Sequence, residues 1–171
     1  QRHGLVHNRD MMGMAADLEG LRAAAPPVAL KLEPVRTREM LSQWYQMSVL
    51  GFPISFNQAH FDALAATSMG ESHPLQNYIG WLDGEIVAIS SLFLGGGVAG
   101  LYNLVTHPEA RGKGIGAWMT VQTFEQARQR GYRIGTLQTT YPNALRLYHR
   151  LGFQVYCKIG IYRYPGSNGH N

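Results

Sequence analysis

Hydrophobic and polar positions change period several times along the chain, and each change marks an element. Asp10–Ala25 has helical composition, with Met14, Leu18 and Leu21 at i, i+4 and i+7, and Pro26-Pro27 ends it. Val28 to Val35 alternates weakly and predicts a first strand. Thr37 can cap a helix that puts Met40, Leu41, Trp44 and Tyr45 on one face, broken by Gly51-Phe52-Pro53. Ser55 can cap a second helix, from about Asn57 to Thr67, with Phe61 and Leu64 inward. Tyr78–Leu82 and Glu85–Ile89 are apolar arms around Asp83-Gly84, a dipeptide suited to a two-residue hairpin turn because both positions take φ > 0. The second arm continues to about Leu94. Gly95-Gly96-Gly97 turns the chain again into an apolar run, Val98–Thr106, and Pro108 stops that run.

A helix from about Ile115 to Arg130 follows, with Ala117, Val121 and Phe124 on one stripe widened by Trp118 and Met119, and Gly131 after its basic last turn. Arg133–Gln138 reads as a short strand. Its right-handed crossover from Val98–Thr106 implies parallel pairing. Asn143–Leu151 is a short helix begun by Pro142 and ended by Gly152, with Ala144, Leu147, Tyr148 and Leu151 on one face. Phe153–Tyr156 and Ile159–Tyr164 predict two closing strands. Residues 165–171 read as a disordered tail.

Composition narrows this to a globular chain. At 171 residues with 45% hydrophobic and 15% charged content, one domain with a sizeable core is expected. The longest apolar runs are too short to span a bilayer, so no membrane partner is expected. Cys157 is the only cysteine, which excludes an internal disulfide and a multi-cysteine zinc site; no metal is expected, and a reducing cytoplasmic location is the default. The net charge of +4 is uneven. Residues 1–107 carry six Lys/Arg against nine Asp/Glu, and residues 108–171 carry nine against two. A basic second half suggests an anionic partner, but its arginines are scattered, which argues for a phosphate-bearing small molecule and against nucleic acid.

The chemistry concentrates between the third hairpin strand and the helix after it. In Arg111-Gly112-Lys113-Gly114-Ile115-Gly116 the glycines let the backbone approach a ligand. The first helical N–H groups lack partners inside the helix and, with the helix dipole, form an anion seat over Gly112–Ala117, flanked by Arg111 and Lys113. The loop lacks the Gly-Lys-Ser/Thr of a P-loop and the Gly-x-Gly-x-x-Gly of a dinucleotide site. The same glycines would also serve an ordinary tight connection, so context must decide.

Arg111, Gly114 and Gly116 fit Arg/Gln-x-x-Gly-x-Gly/Ala, and in this the chain resembles the acetyl-CoA loop of the GNAT N-acetyltransferase superfamily. Leu147-Tyr148-His149-Arg150-Leu151-Gly152-Phe153 is similar to that family's Leu-Tyr-x-x-x-Gly-Phe. With the predicted element order, the resemblance covers roughly Val28 to Tyr164. It implies an α/β (α+β) GNAT fold: a mixed, mostly antiparallel central sheet flanked by helices, with a splayed strand at the cofactor site. Residues 28–164 would be the acetyltransferase domain. Residues 1–27 would be a linker or extra helix, such as the tail of a preceding domain in a longer chain; a homodimer is also compatible. The implied reaction is acetyl transfer from acetyl-CoA to a small-molecule or peptide amine. Backbone groups of Leu104, Val105 and Thr106 would hold the pantetheine arm and stabilise an oxyanion. Arg111, Gly112, Lys113, Gly114, Ile115, Gly116 and Ala117 would seat the pyrophosphate, and Tyr148 would be the general acid toward the thiolate.

Two departures stand out. An Asn that often precedes the last helix in the family would fall at Tyr141, with Asn143 two residues late. Neither strand flanking the helix Ile115–Arg130 contains an acid, which leaves a water chain as the expected base. Trp44, Phe52, Phe56, Tyr78 and Trp81 are mostly core by expectation, with one or two of them toward an acceptor. A non-catalytic acyl-CoA-binding module is the alternative reading.

Overall fold

The computed structural model describes residues 4–22, 24–25, 30–52 and 55–164. Seven strands and four helices follow in the order β1 (Val6–Asp17), β2 (Lys31–Pro34), α1 (Arg38–Gly51), α2 (Gln58–Ser68), β3 (Leu75–Leu82), β4 (Glu85–Gly95), β5 (Val98–Thr106), α3 (Ile115–Arg128), β6 (Ile134–Thr139), α4 (Pro142–Leu151) and β7 (Gln154–Arg163). The strands form one sheet in the order β2-β3-β4-β5-β6-β1-β7. Every neighbouring pair is antiparallel except β5 and β6. The tail over 165–171 and the Pro26-Pro27 break lie outside the described residues.

Side-chain alternation along the strands builds a core on each face. Ile79, Ile89 and Val105 pack with Leu41, Trp44, Tyr45 and Phe61, so α1 and α2 cover that face of the β3–β5 region. The alternate residues Tyr78, Leu92, Ala99 and Leu101 pack on the opposite face against Phe124 of α3, Tyr148 of α4 and Phe153. The expected hairpin is present, with Asp83 at φ 51 and Gly84 at φ 85. Thr37 caps α1 as expected, its hydroxyl accepting from Met40 N–H at 3.1 Å. The cap of α2 is Asn57 rather than Ser55, its carbonyl oxygen accepting from His60 N–H at 2.9 Å.

The largest correction is at the N-terminus. Instead of a helix over Asp10–Ala25, residues 6–17 form β1, with a short 3-10 turn over Leu18–Gly20. β1 lies between β6 and β7, with Met14 opposite Leu137 on one side and opposite Val155 on the other. Met- and Ala-rich composition favours a helix only weakly, and two neighbouring strands each offering a full ladder of hydrogen bonds override it. Gly13 shows why a strand fits: a Cβ built there would lie 2.6 Å from Cys157 Sγ on the adjacent strand. The second correction follows from the first. The two closing strands are one continuous β7, because its partner is β1 and not a hairpin mate.

Candidate active site

Among the described residues β5 and β6 are the only parallel pair, and they stay together briefly. Ala99 faces Gly135 and Gly100 faces Thr136. Beyond them β5 runs on to Thr106 and β6 to Thr139 with no further registered pair. Two features border the place where the pairing ends. On the β4 side, Ile89 faces Val105 and Ser91 faces Tyr102, so Ser90 alone stands opposite Asn103 and Leu104. This is a bulge, which bends the strand that carries the extra residue. Asn103 sits there at φ 49, a region that Asn tolerates better than most side chains. Its amide donates to Ser91 Oγ at 3.2 Å; Ser91 Oγ donates to Asn77 Oδ1 at 2.6 Å; Asn77 Nδ2 donates to Ser68 Oγ at 2.9 Å. This chain of bonds ties the bulge through the buried Ser91 and Asn77 to the end of α2. On the other side, Ala144, Leu147 and Tyr148 of α4 line the space beside the parted strands.

The gap opens as two clefts that share Phe52, Leu104, Tyr141, Ala144 and Tyr148. The larger has a volume of about 540 Å³ and reaches Val105, Thr106, Arg111, Gly116 and Asn143. The smaller, about 350 Å³, runs toward Arg9, Met11, Tyr102, Asn103 and Gln138.

The larger cleft ends at the first turn of α3. Unlike α1 and α2, α3 has a glycine at its N-cap, Gly114 at φ 80, and no side chain bonds its first amides. A Cβ built at Gly112 or Gly114 would meet nothing within 4 Å. Positive φ, rather than crowding, therefore demands glycine here, and the helix mouth is open. Arg111 lines the cleft, with its Nε donating to the Thr106 carbonyl at 3.2 Å, which ties the loop to the end of β5. Lys113 is exposed on the loop.

The remaining expected residues divide. Leu104, Val105, Thr106, Arg111, Gly116, Asn143 and Tyr148 meet around the larger cleft. Ile115 is buried against Trp118 and Met119, and Ala117 packs on the core, so only their backbone is available to a ligand. The Asn143 side chain accepts a hydrogen bond from Arg146 on its own helix. Of the five aromatics, Trp44 and Tyr78 are core, Trp81 is partly buried, and Phe56 is exposed against Tyr45 with ring centroids 5.2 Å apart. Phe52 alone lines the clefts. Arg9, Met11 and Gln138 carry no local motif: Met11 falls in the stretch whose composition predicts a helix, Arg9 lies just before it, and Gln138 ends an expected strand whose neighbour β1 is set only by the assembled sheet. An isolated glycine inside a helical pattern, Gly13, was the one signal against that reading.

Tyr148 is 7% exposed and meets Phe153 edge-on at 6.1 Å. Its hydroxyl makes no hydrogen bond among the described residues, and burial pushes its pKa up to about 12. The proton therefore stays on oxygen at neutral pH, at a position that borders both clefts. No Asp, Glu or His lines either cleft among the described residues. No cluster of His, Cys, Asp and Glu among them could hold a metal, and no described helix is long and apolar enough to cross a membrane.

A forked parallel pair leading to an uncapped helix start is the architecture expected of an acyl-CoA-dependent transferase. A family model for the acetyltransferase (GNAT) family matches residues 41–153, and the chain belongs to that family. A search of curated proteins gives no match. Among solved structures, the chain is similar to a GCN5-related N-acetyltransferase from Kribbella flavida, at TM-score 0.77 and 18% identity, covering 97% of this chain and 62% of that one. A GCN5-related N-acetyltransferase from Sphaerobacter thermophilus gives TM-score 0.70 at 20% identity over 94% and 53%. The ribosomal-protein-S18-alanine N-acetyltransferase from Escherichia coli gives 0.59 at 20% over 72% and 77%. The chain thus spans less than two thirds of the first two.

Proposed function

We propose that the chain transfers an acetyl group from acetyl-CoA to an amine. The observation that carries this is the fork between β5 and β6, which ends at a helix mouth that neither protein side chain nor cap fills. The residues fit the cofactor. The unpaired backbone edge of Leu104–Thr106 suits an extended amide-bearing arm, and the first amides of α3, with Arg111 and Lys113, suit a diphosphate. Bound there, acetyl-CoA supplies an activated thioester.

The chain's own groups then have three tasks. Apolar Phe52, Leu104, Ala144 and Leu147 exclude water from the reacting centre. Backbone N–H groups at the bulge beside Leu104 offer fixed donors to a developing oxyanion, typically the largest electrostatic contribution. Tyr148, kept protonated by burial, is the donor to a leaving thiolate. The amine, a small molecule or a peptide, approaches through the smaller cleft on the far side of Tyr148, and its proton leaves to water because no carboxylate or imidazole is there. The test is a pair of measurements. Coenzyme A should raise the melting temperature, since binding only the folded state stabilises it. Thiol release from acetyl-CoA should depend on added amine. No thermal shift with coenzyme A would remove the proposal.

A further inference from the structure

Resting on the acetyltransferase reading, we infer that the acceptor is an amine that also carries an anionic group, a carboxylate or a phosphate, and that Arg9 is the residue that binds that group. Arg9 and Tyr148 both line the smaller cleft. Arg9 is the only charged side chain lining that cleft among the described residues; the remainder is apolar, such as Met11, Leu101 and Leu137, or neutral polar, such as Asn103 and Gln138. A second cation on the acceptor would find no carboxylate to meet it and a guanidinium to repel it. Polyamines and other multiply cationic acceptors are therefore poor fits.

Arg9 is also uncommitted. It has no hydrogen bond or ion pair among the described residues, and it is exposed to an incoming ligand. Asp10, its acidic neighbour, follows it on a strand whose side chains alternate between faces, and Asp10 is engaged by His7 Nε2 at 2.6 Å. A register shift in the β1–β7 ladder falls between His7 and Arg9. Such irregularities re-aim side chains at the ends of sheets. A planar guanidinium grips carboxylate or phosphate through two parallel N–H donors. The amine of such an acceptor would point inward toward Tyr148, and its anion outward toward β1.

Steady-state kinetics on matched acceptors test this. Phenylalanine is compared with phenylalanine amide, and phosphoethanolamine with ethanolamine, each with the unaltered protein and with Arg9→Gln and Arg9→Lys. In at least one pair, Arg9→Gln should raise KM for the anionic member about tenfold more than for its neutral partner, with kcat largely kept and Arg9→Lys intermediate. The pair that shows the split says whether carboxylate or phosphate is the anion. An equal effect of Arg9→Gln on both members of both pairs overturns the inference while leaving acetyl transfer intact. No amine-dependent thiol release with any acceptor overturns the acetyltransferase reading and this inference together.

Discussion

The two ends of β5 are made of similar residues and lead opposite lives. Ala99 and Gly100 lie zipped between β4 and β6, and Val105 and Thr106 keep only β4. What lies between them is one extra residue at Asn103, where the β4 ladder shifts register. The lesson is that a cleft can be opened beside a continuous sheet without a loop or a hinge, by interrupting a ladder. The zipped end should then answer for stability and the open end for turnover.

The sharpest way to break this division is Tyr148→Phe. It keeps the ring packed on Phe153 and removes only the proton donor, so kcat should fall about a hundredfold with the melting temperature and coenzyme A affinity nearly unchanged. Equal turnover would take Tyr148 out of the chemistry. The pH dependence comes next. An amine attacks as the free base, and no enzyme carboxylate or histidine lines the open end among the described residues. Below the acceptor's own pKa, kcat/KM should therefore rise about tenfold per pH unit. Because burial holds Tyr148 protonated up to about 12, it contributes no falling limb near neutrality. A limb that stays put when acceptors of different pKa are exchanged would point to an enzyme base instead.

At the zipped end the effect should be thermodynamic. A Cβ at Gly135 would lie 2.5 Å from Leu18 Cδ2 and 2.9 Å from the buried Phe124 ring. Gly135→Ala should cost about 2 kcal/mol in a denaturant titration and leave the KM for acetyl-CoA in place. The smallest effect tests the junction itself. Asn103→Ala loses both the bond to Ser91 and the tolerance for positive φ, and should cost about 1 kcal/mol with a modest loss of kcat. Asn103→Gly restores the backbone alone, so recovery of kcat in that variant would place the function of Asn103 in its φ rather than in its amide.

Much of this was legible in the sequence where local chemistry is decisive. Asp83-Gly84 could only turn a hairpin, Thr37 marked a cap, and Arg111-Gly112-Lys113-Gly114 marked an open helix start; each rests on a few adjacent residues. The order of elements from β2 to α4 followed from those points. What could not be read were features set by residues far apart. β1 became a strand because β6 and β7 needed a neighbour, and nothing within residues 6–17 encodes their presence. The bulge at Asn103 depends on Ser91, Asn77 and Ser68, which three separate elements supply. Arg9 was invisible as a site residue for the same reason: its place beside the cleft exists only after the sheet has assembled.

The position of β1 also carries a consequence for how the molecule comes into being. Asp17 pairs with Ile134, and Val6 with Arg163. On the ribosome this ribbon emerges before β2 to β5, and its companions on either flank emerge only after them. Such long-range pairing slows folding, because loop closure must precede any reward from the contact. The half of the sheet that bears the acceptor cleft is therefore the last to be completed, and that half stays incomplete until β1 and the two strands beside it have found each other.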